Sequence, residues 1–476
     1  AAMSTNKVSW FVRTVDLGVE VYGEMTNAGF VAGTVLAGHS AAPLRNALIS
    51  VSNTWGVATT RSAADGSFAL AVPGNSYAVR AAATRYQTAL SNAIAVTVGV
   101  TSRVEFVLWG SQLAWGPASV AATLELGTVM TNVLSVTNSG PLSVALYLAA
   151  QEPLPASVKR CYGANIARGA ADVSELLLFD AAMPQTTTVV NARISSEELW
   201  GITFRNRDYS TLYGISFGKK LLRVDVATGV GTIIASALPG NGEYWSGIAA
   251  DTNGDLYAST SFGSTLSKLY LIDPDTGAVT PRASVGGVYI TDIAFNTNGQ
   301  LYAIDVTSDL LLRIDKETGA VTWFGSLGFD AAYDSGLAFN PRDNQLYLTS
   351  WDAAQTPRGR FYRVSTATGA ATLVGTQENG TLQIAGLAMP ASLPSTWAAP
   401  AQPAMTLAPG TATVRVIFDA RSKPIGIYNA QLTGNGTFLN TMPAIALQME
   451  VVPEPAHAAA LLLAMLAVRR KRQKMS

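Results

Sequence analysis

The chain offers few residues for chemistry. Its 476 residues include two histidines, His39 and His457, and one cysteine, Cys161. A zinc site of the Cys/His kind and a disulfide framework are therefore excluded. Neither histidine lies within 158–392, so Ser-His-Asp and Cys-His arrangements have no imidazole in that segment. His39 reads as a solvated loop residue. The glycines fall in turns rather than between a strand and a helix, which leaves no phosphate-cradling loop. Carboxylates and aromatic rings remain. Asp292 and Asp334, with Glu198, have the composition for glycosidase-like acid/base work. Tyr244, Trp245, Tyr289 and Tyr333 have the faces to stack on a sugar or a peptide. Asp251-Thr-Asn253-Gly-Asp255 and Asn296-Thr-Asn298-Gly-Gln300 carry clustered oxygens, as a Ca²⁺ loop does. No bidentate Glu follows at the required spacing, and Asn-Gly between two strands is a hairpin signal, so both read as structural turns. No metal or cofactor is expected.

A repeat must position these residues. The phrases GITF, GIAA, DIAF and GLAF open four units at Gly201, Gly247, Asp292 and Gly336, separated by 46, 45 and 44 residues. Each unit holds four short strands punctuated by turns, the last turn being of the Asp-x-x-Thr-Gly kind at Asp225, Asp273 and Asp315. An incomplete unit precedes them (Cys161–Ile166, Leu176–Asp180, Thr186–Val190), and a lone opening strand follows at Gly386–Pro390. Pairing that last strand with the first three closes a five-bladed β-propeller over 158–392; a sixth blade from 191–199 is less economical. Three residues before each opening strand stand Glu198, Tyr244, Tyr289, Tyr333 and Gln383. In a propeller they arrive at one end of the central channel, where they form a candidate ligand-binding ring with Trp245, Asp292 and Asp334 beside it. The alternative is that the tyrosines repeat because the core between blades repeats.

The flanks alternate with period two. Residues 29–110 contain Gly33–Leu36, Ala47–Val51, Ser67–Val72, Tyr77–Ala81 and Val104–Leu108 as strands, with hairpin turns at Asp65-Gly66 and Pro73-Gly74-Asn75. This segment resembles the carboxypeptidase regulatory-like domain, which implies a small β-sandwich used as a spacer or scaffold. Residues 111–157, with their TLELGTVMTNVLSVTNSG run, and residues 393–452, with LAPGTATVRVIFDA, each hold too few strands to close a sandwich. Together they resemble one Ig-like domain of bacterial surface proteins, split by the propeller inserted at a loop. Residues 1–28 precede these modules.

The last segment, 453–476, combines Pro453-Glu454-Pro455, an apolar run from Ala456 to Val468 and the basic residues Arg469, Arg470, Lys471, Arg472 and Lys474. It resembles a PEP-CTERM sorting signal. The resemblance implies recognition by an exosortase-like enzyme, a short C-terminal hydrophobic helix that anchors the precursor transiently in the inner membrane, and delivery to the cell surface or extracellular matrix. The run of 13 residues is shorter than the roughly 20 that span a bilayer, a difference that snorkelling basic ends or local thinning of the bilayer can cover. The sequence opens without an apolar leader, which an exported precursor requires.

The 32 basic and 32 acidic residues cancel over the whole sequence, which speaks against a partner bound through phosphate neutralisation such as nucleic acid. The cancellation depends on the tail, because residues 1–455 carry a formal charge of −5. The expectation is an all-β, exported, non-enzymatic binding or structural protein whose propeller engages exopolysaccharide or other surface proteins. The alternative is a propeller enzyme acting on extracellular polysaccharide, with Glu198, Asp292 and Asp334 as its acids or bases.

Overall fold

The computed structural model describes residues 28–454, apart from 55, 84–85, 167–172, 263–265 and 437–443. Every regular element among the described residues is a β-strand. The C-terminal hydrophobic helix expected after Pro453 lies outside them.

Two sheets form the N-terminal unit. One orders its strands Ser67–Pro73, Ala28–Ala37 and Thr101–Leu108; the other runs Gly56–Arg61, Leu48–Asn53, Asn75–Ala82 and Ala89–Leu90. Their inward residues, among them Val31, Val35, Ile49, Val51, Val79 and Phe106, make one core, as period-two patterning demands. Both expected hairpins are corrected here. Asp65-Gly66 and Pro73-Gly74-Asn75 are tight turns, but each joins strands of different sheets. Turn chemistry acts locally: Asp65 Oδ1 accepts the Ser67 N–H at 3.0 Å and Gly66 takes a φ of 76°, whichever sheet comes next. His39 is also corrected. It is half-buried, edge-on to Trp109 at 5.1 Å, with Nε2 2.8 Å from the Gly110 carbonyl.

The repeat segment folds into five four-stranded sheets. Four are consecutive meanders opening with Leu199–Arg205, Tyr244–Ala250, Ile290–Phe295 and Ala331–Phe339. In the remaining sheet Ile384–Ala388 pairs with Arg160–Asn165, followed by Glu175–Asp180 and Met183–Asn191, so the two ends of the segment share one sheet. The opening strands lie side by side, and Ile384–Ala388 touches both Ala331–Phe339 and Leu199–Arg205. Contact is backbone to backbone: a Cβ on Gly386 would stand 2.8 Å from Ile202 N and 3.0 Å from Gly201. That close approach favours glycine, which opens four of the five units (Gly201, Gly247, Gly336 and Gly386), with Asp292 the exception.

The Asn-Gly and Asp-x-x-Thr-Gly turns explain themselves chemically. Asp251 Oδ1 accepts the N–H groups of Asn253 and Asp255, each at 2.9 Å, and Asn296 Oδ1 does the same for Asn298 and Gln300. Asp225, Asp273 and Asp315 each accept two backbone N–H groups within the next three residues.

Strands from both sides of the repeat segment share two further sheets. One contains Ser119–Glu125, Ile445–Val452, Gly426–Gly436, Val144–Pro153 and Ser392–Pro394; the other contains Ala398–Pro400, Gly410–Asp419, Val129–Asn138 and Leu113–Gly116. They enclose a common core that includes Leu134, Leu146, Trp397, Val416, Phe418 and Met449. The repeat segment leaves and re-enters at adjacent points, with Leu154 N donating to Ala391 O at 3.2 Å.

Candidate functional site

Glu198, Tyr289 and Gln383 directly precede the opening strands Leu199–Arg205, Ile290–Phe295 and Ile384–Ala388, Tyr244 begins Tyr244–Ala250, and Tyr333 lies near the start of Ala331–Phe339. Each opening strand also slips register here, at 199/201, 245/247, 290/292 and 332/336, with the matching slip at Ala164/Asn165 in the shared sheet. An extra residue in one strand bends it and re-aims the side chains nearby. Repeated in all five sheets, the slip sets this end of the opening strands apart.

Three rings form a ladder there. Trp200 and Phe217 have centroids 4.9 Å apart, and Phe217 stacks on Tyr244 at 5.4 Å with only 7° between planes. Phe217 and Tyr244 remain 44% and 45% exposed, so the ladder presents apolar area to solvent instead of burying it. Lys219 Nζ lies 5.1 Å from the Tyr244 centroid, and Trp200 Nε1 donates to Glu198 Oε1 at 2.8 Å. The backbone locks the parts together, because Phe217 N donates to Glu198 O at 2.9 Å. Trp200 and Phe217 are absent from the sequence-based list. Phe217 had a signal: it is an aromatic residue in the turn Phe217-Gly218-Lys219, where small or polar residues normally stand.

The other listed residues divide. Tyr333 is 66% exposed with a φ of 60°, a left-handed conformation that is costly for a bulky side chain and common at functional sites. Tyr289 is half-buried and held by its own backbone, its N–H donating to Asp305 Oδ1 at 3.0 Å. Trp245 does not reach the surface. It is fully buried against Tyr270, and its Nε1 donates to Ala237 O at 2.9 Å, so it is a core residue.

The carboxylates are electrostatically linked but not equivalent. Asp292 is only 1% exposed; Oδ1 accepts the Ile293 N–H at 2.8 Å and Oδ2 accepts the Leu337 N–H of the next sheet at 2.7 Å. It ties two opening strands together and is sealed from any ligand. Burial drives its pKa well above the carboxylate range, partly countered by those two N–H groups, with Asp334 adding repulsion. Asp334 is half-buried, and burial followed by the charge of Glu198 pushes it up to about 6. The Glu198 and Asp334 charges thus act on each other, while Asp292 is buried between two opening strands.

Cys161 is fully buried and free, and burial pushes its thiol well above the usual range, which removes it as a nucleophile. Pro453 and Glu454 directly follow the strand Ile445–Val452. Pro455, Arg469, Arg470, Lys471 and Arg472 lie outside the described residues. Among those described, no helix is long and apolar enough to cross a membrane.

Residues 31–109 match the model of the carboxypeptidase regulatory-like domain, and residues 200–336 match a "Repeat of unknown function (DUF6923)". The second match covers the units opening at Gly201, Gly247 and Asp292. No curated protein matches the sequence. Among solved structures, virginiamycin B lyase from Staphylococcus aureus is similar at 15% identity over 48% of this chain and 73% of its own, with a TM-score of 0.28. A luciferin-regenerating enzyme gives 12% identity, 59% and 95% coverage and a TM-score of 0.34. A Bacteroides caccae protein of unknown function gives 8%, 49%, 99% and 0.33. At such TM-scores these likenesses bear on neither the mechanism nor the ligand of this chain.

Proposed function

We propose that the chain is an exported binding protein of the cell surface or extracellular matrix, whose five sheets close into a five-bladed propeller that engages polysaccharide at the ladder end. One observation carries the reading: Trp200, Phe217 and Tyr244 form a ladder with exposed rings, bonded to the Glu198 carboxylate, whose charge in turn acts on Asp334. Flat rings stack on the C–H faces of sugars while carboxylates accept hydroxyl protons, so apolar and polar contacts converge on one ligand class. Closure is supported by Ile384–Ala388, which touches both neighbouring opening strands. The split sandwich, read as Ig-like, and the N-terminal unit serve as spacers. Export rests on the PEP-CTERM resemblance of 453–476, with an exosortase-like enzyme as the processing partner and a transient membrane anchor before processing.

The test is calorimetric titration with neutral and acidic oligosaccharides. Tyr244→Ala and Phe217→Ala should each weaken binding at least tenfold while the melting temperature holds. Unchanged binding in both variants, or loss that merely follows unfolding, would sink the ladder as a binding face. For sorting, the intact mass of protein produced beside an exosortase should fall short of a chain ending at Ser476.

A second reading is favoured by Asp334. A carboxyl pushed up to about 6 beside another carboxylate matches the acid and base of a glycosidase. Release of reducing ends from an oligosaccharide, abolished by Asp334→Asn and by Glu198→Gln, would establish it. Turnover unaffected by both changes would dismiss it.

A further inference from the structure

The N-terminal unit meets the repeat sheets on a face that brings like charges together. Asn46 Nδ2 donates to Glu317 Oε2 across this junction, and Arg61 Nη1 donates to the Asn46 carbonyl at 3.0 Å. On the opposing side stands Arg282, at the register slip of the strand Val279–Gly286. Its charge is felt by Arg61, whose guanidinium is held below its usual range by burial first and then by Arg282, with Glu317 countering. Other cations here have anionic partners. Lys316 Nζ sits 2.7 Å from Asp251 Oδ2 and over the Tyr257 ring at 4.9 Å, and Arg45 acts on Asp315. Arg282 differs: its Nε and Nη1 atoms are buried without an acceptor.

The Glu317 carboxylate offsets part of the repulsion between these two guanidiniums from different modules, but the buried Nε and Nη1 of Arg282 still lack an acceptor, which an entering anion would supply. Breaking hydrogen bonds to water without replacing them costs about 1–3 kcal/mol per group, more where charge is involved. Guanidinium donors suit tetrahedral oxyanions, which accept several charge-assisted hydrogen bonds at once. We infer that Arg61 and Arg282 form an oxyanion site at the junction of the N-terminal sandwich and the repeat sheets, taking a phosphate- or sulfate-class group that bridges the two modules. The group comes either from a free inorganic anion or from an ester substituent on a polysaccharide. The site is separate from the aromatic ladder and does not depend on it.

The experiment uses the full chain and three salts, sodium phosphate, sodium sulfate and sodium chloride, at matched ionic strength. Phosphate or sulfate should raise the melting temperature saturably, by about 3 °C at ten times Kd, where a ligand increases the folded-to-unfolded ratio about tenfold. Chloride should not. Arg282→Met should abolish the response, and Arg61→Met, on the other module, should raise Kd at least tenfold, so that failure of one variant to fold leaves the other decisive. Equal effects of phosphate and chloride would overturn the inference, as would a full phosphate response in either folded variant. A sulfated oligosaccharide and its desulfated form then separate the sources. Competition with phosphate by the sulfated form alone identifies an ester substituent, whereas no competition identifies a free anion.

Discussion

Replacing Asp334 with Asn should make the protein more stable at neutral pH and leave it unchanged in acid. Burial and the Glu198 charge raise the Asp334 carboxyl from 3.8 to about 6, so the folded state holds a proton that the unfolded chain has released. Between these values the folded state binds more protons, and stability therefore falls as pH rises. The loss is absent below about 3.8 and complete above about 6. A displacement of that size corresponds to roughly 3 kcal/mol if solvent provides no relief, and the half-buried position reduces it to roughly 1–3 kcal/mol. Asp334 also raises Asp292, so the substitution relieves both carboxyls in the same direction. Thermal melts of wild type and Asp334→Asn at pH 3.5 and 7.5 provide the assay. The expected gain is about 2–4 °C per kcal/mol at pH 7.5, for a unit of this size, and none at pH 3.5. A variant less stable than wild type at pH 7.5, or an equal difference at both pH values, would refute the assignment of buried charge at this position.

The proposed ring closure makes its own prediction: Gly386→Ala forces a Cβ to within 2.8 Å of Ile202 N and should cost about 1–3 kcal/mol by chemical denaturation. No change would mean that the last opening strand does not press on the first. Lys268→Met removes the cation 2.5 Å from Glu243, whose side chain is 5% exposed, and should destabilise by about 3–5 kcal/mol at pH 7. Burial alone would raise the Glu243 carboxyl, but Lys268, Tyr270 and Thr260 hold it below the usual range, so its stabilisation exists above about 4.5 and fades as pH falls through the lowered value. The deficit of Lys268→Met should accordingly narrow in acid, as urea melts at pH 3.5 and 7 would reveal. Phe418→Ala empties a fully buried site against Trp397 at 4.9 Å and should cost about 3–5 kcal/mol, read as loss of protease resistance in both 113–153 and 398–452. Loss in only one segment would contradict their common core.

Spacing alone assigned Glu198, Tyr244, Tyr289, Tyr333 and Gln383 to equivalent positions at the opening strands of like sheets. It does not say which of them meet in one site. Burial was not legible. Tyr244 and Trp245 are neighbours in sequence, yet successive strand residues point to opposite faces, and one is exposed while the other is core. The register slip decides which face is which, and it is a property of pairing rather than composition. Phe217 joins the ladder only because its turn folds back onto Glu198.

The sequence by itself determined the features whose hydrogen bonds close within a few residues. These are the alternating strands, the Asx turns at Asp251 and Asn296, the Asp-x-x-Thr-Gly turns, and the repeat that multiplies them into similar sheets. Tertiary structure decided whatever depends on partners distant along the chain. It set the Asp65-Gly66 turn between two sheets, made Asp292 a tie to Leu337, and joined Asn46 to Glu317. The physical reason is range. A turn satisfies its own donors and acceptors, whereas a buried carboxylate or guanidinium takes its partner, and hence its role, from whichever strand packs against it.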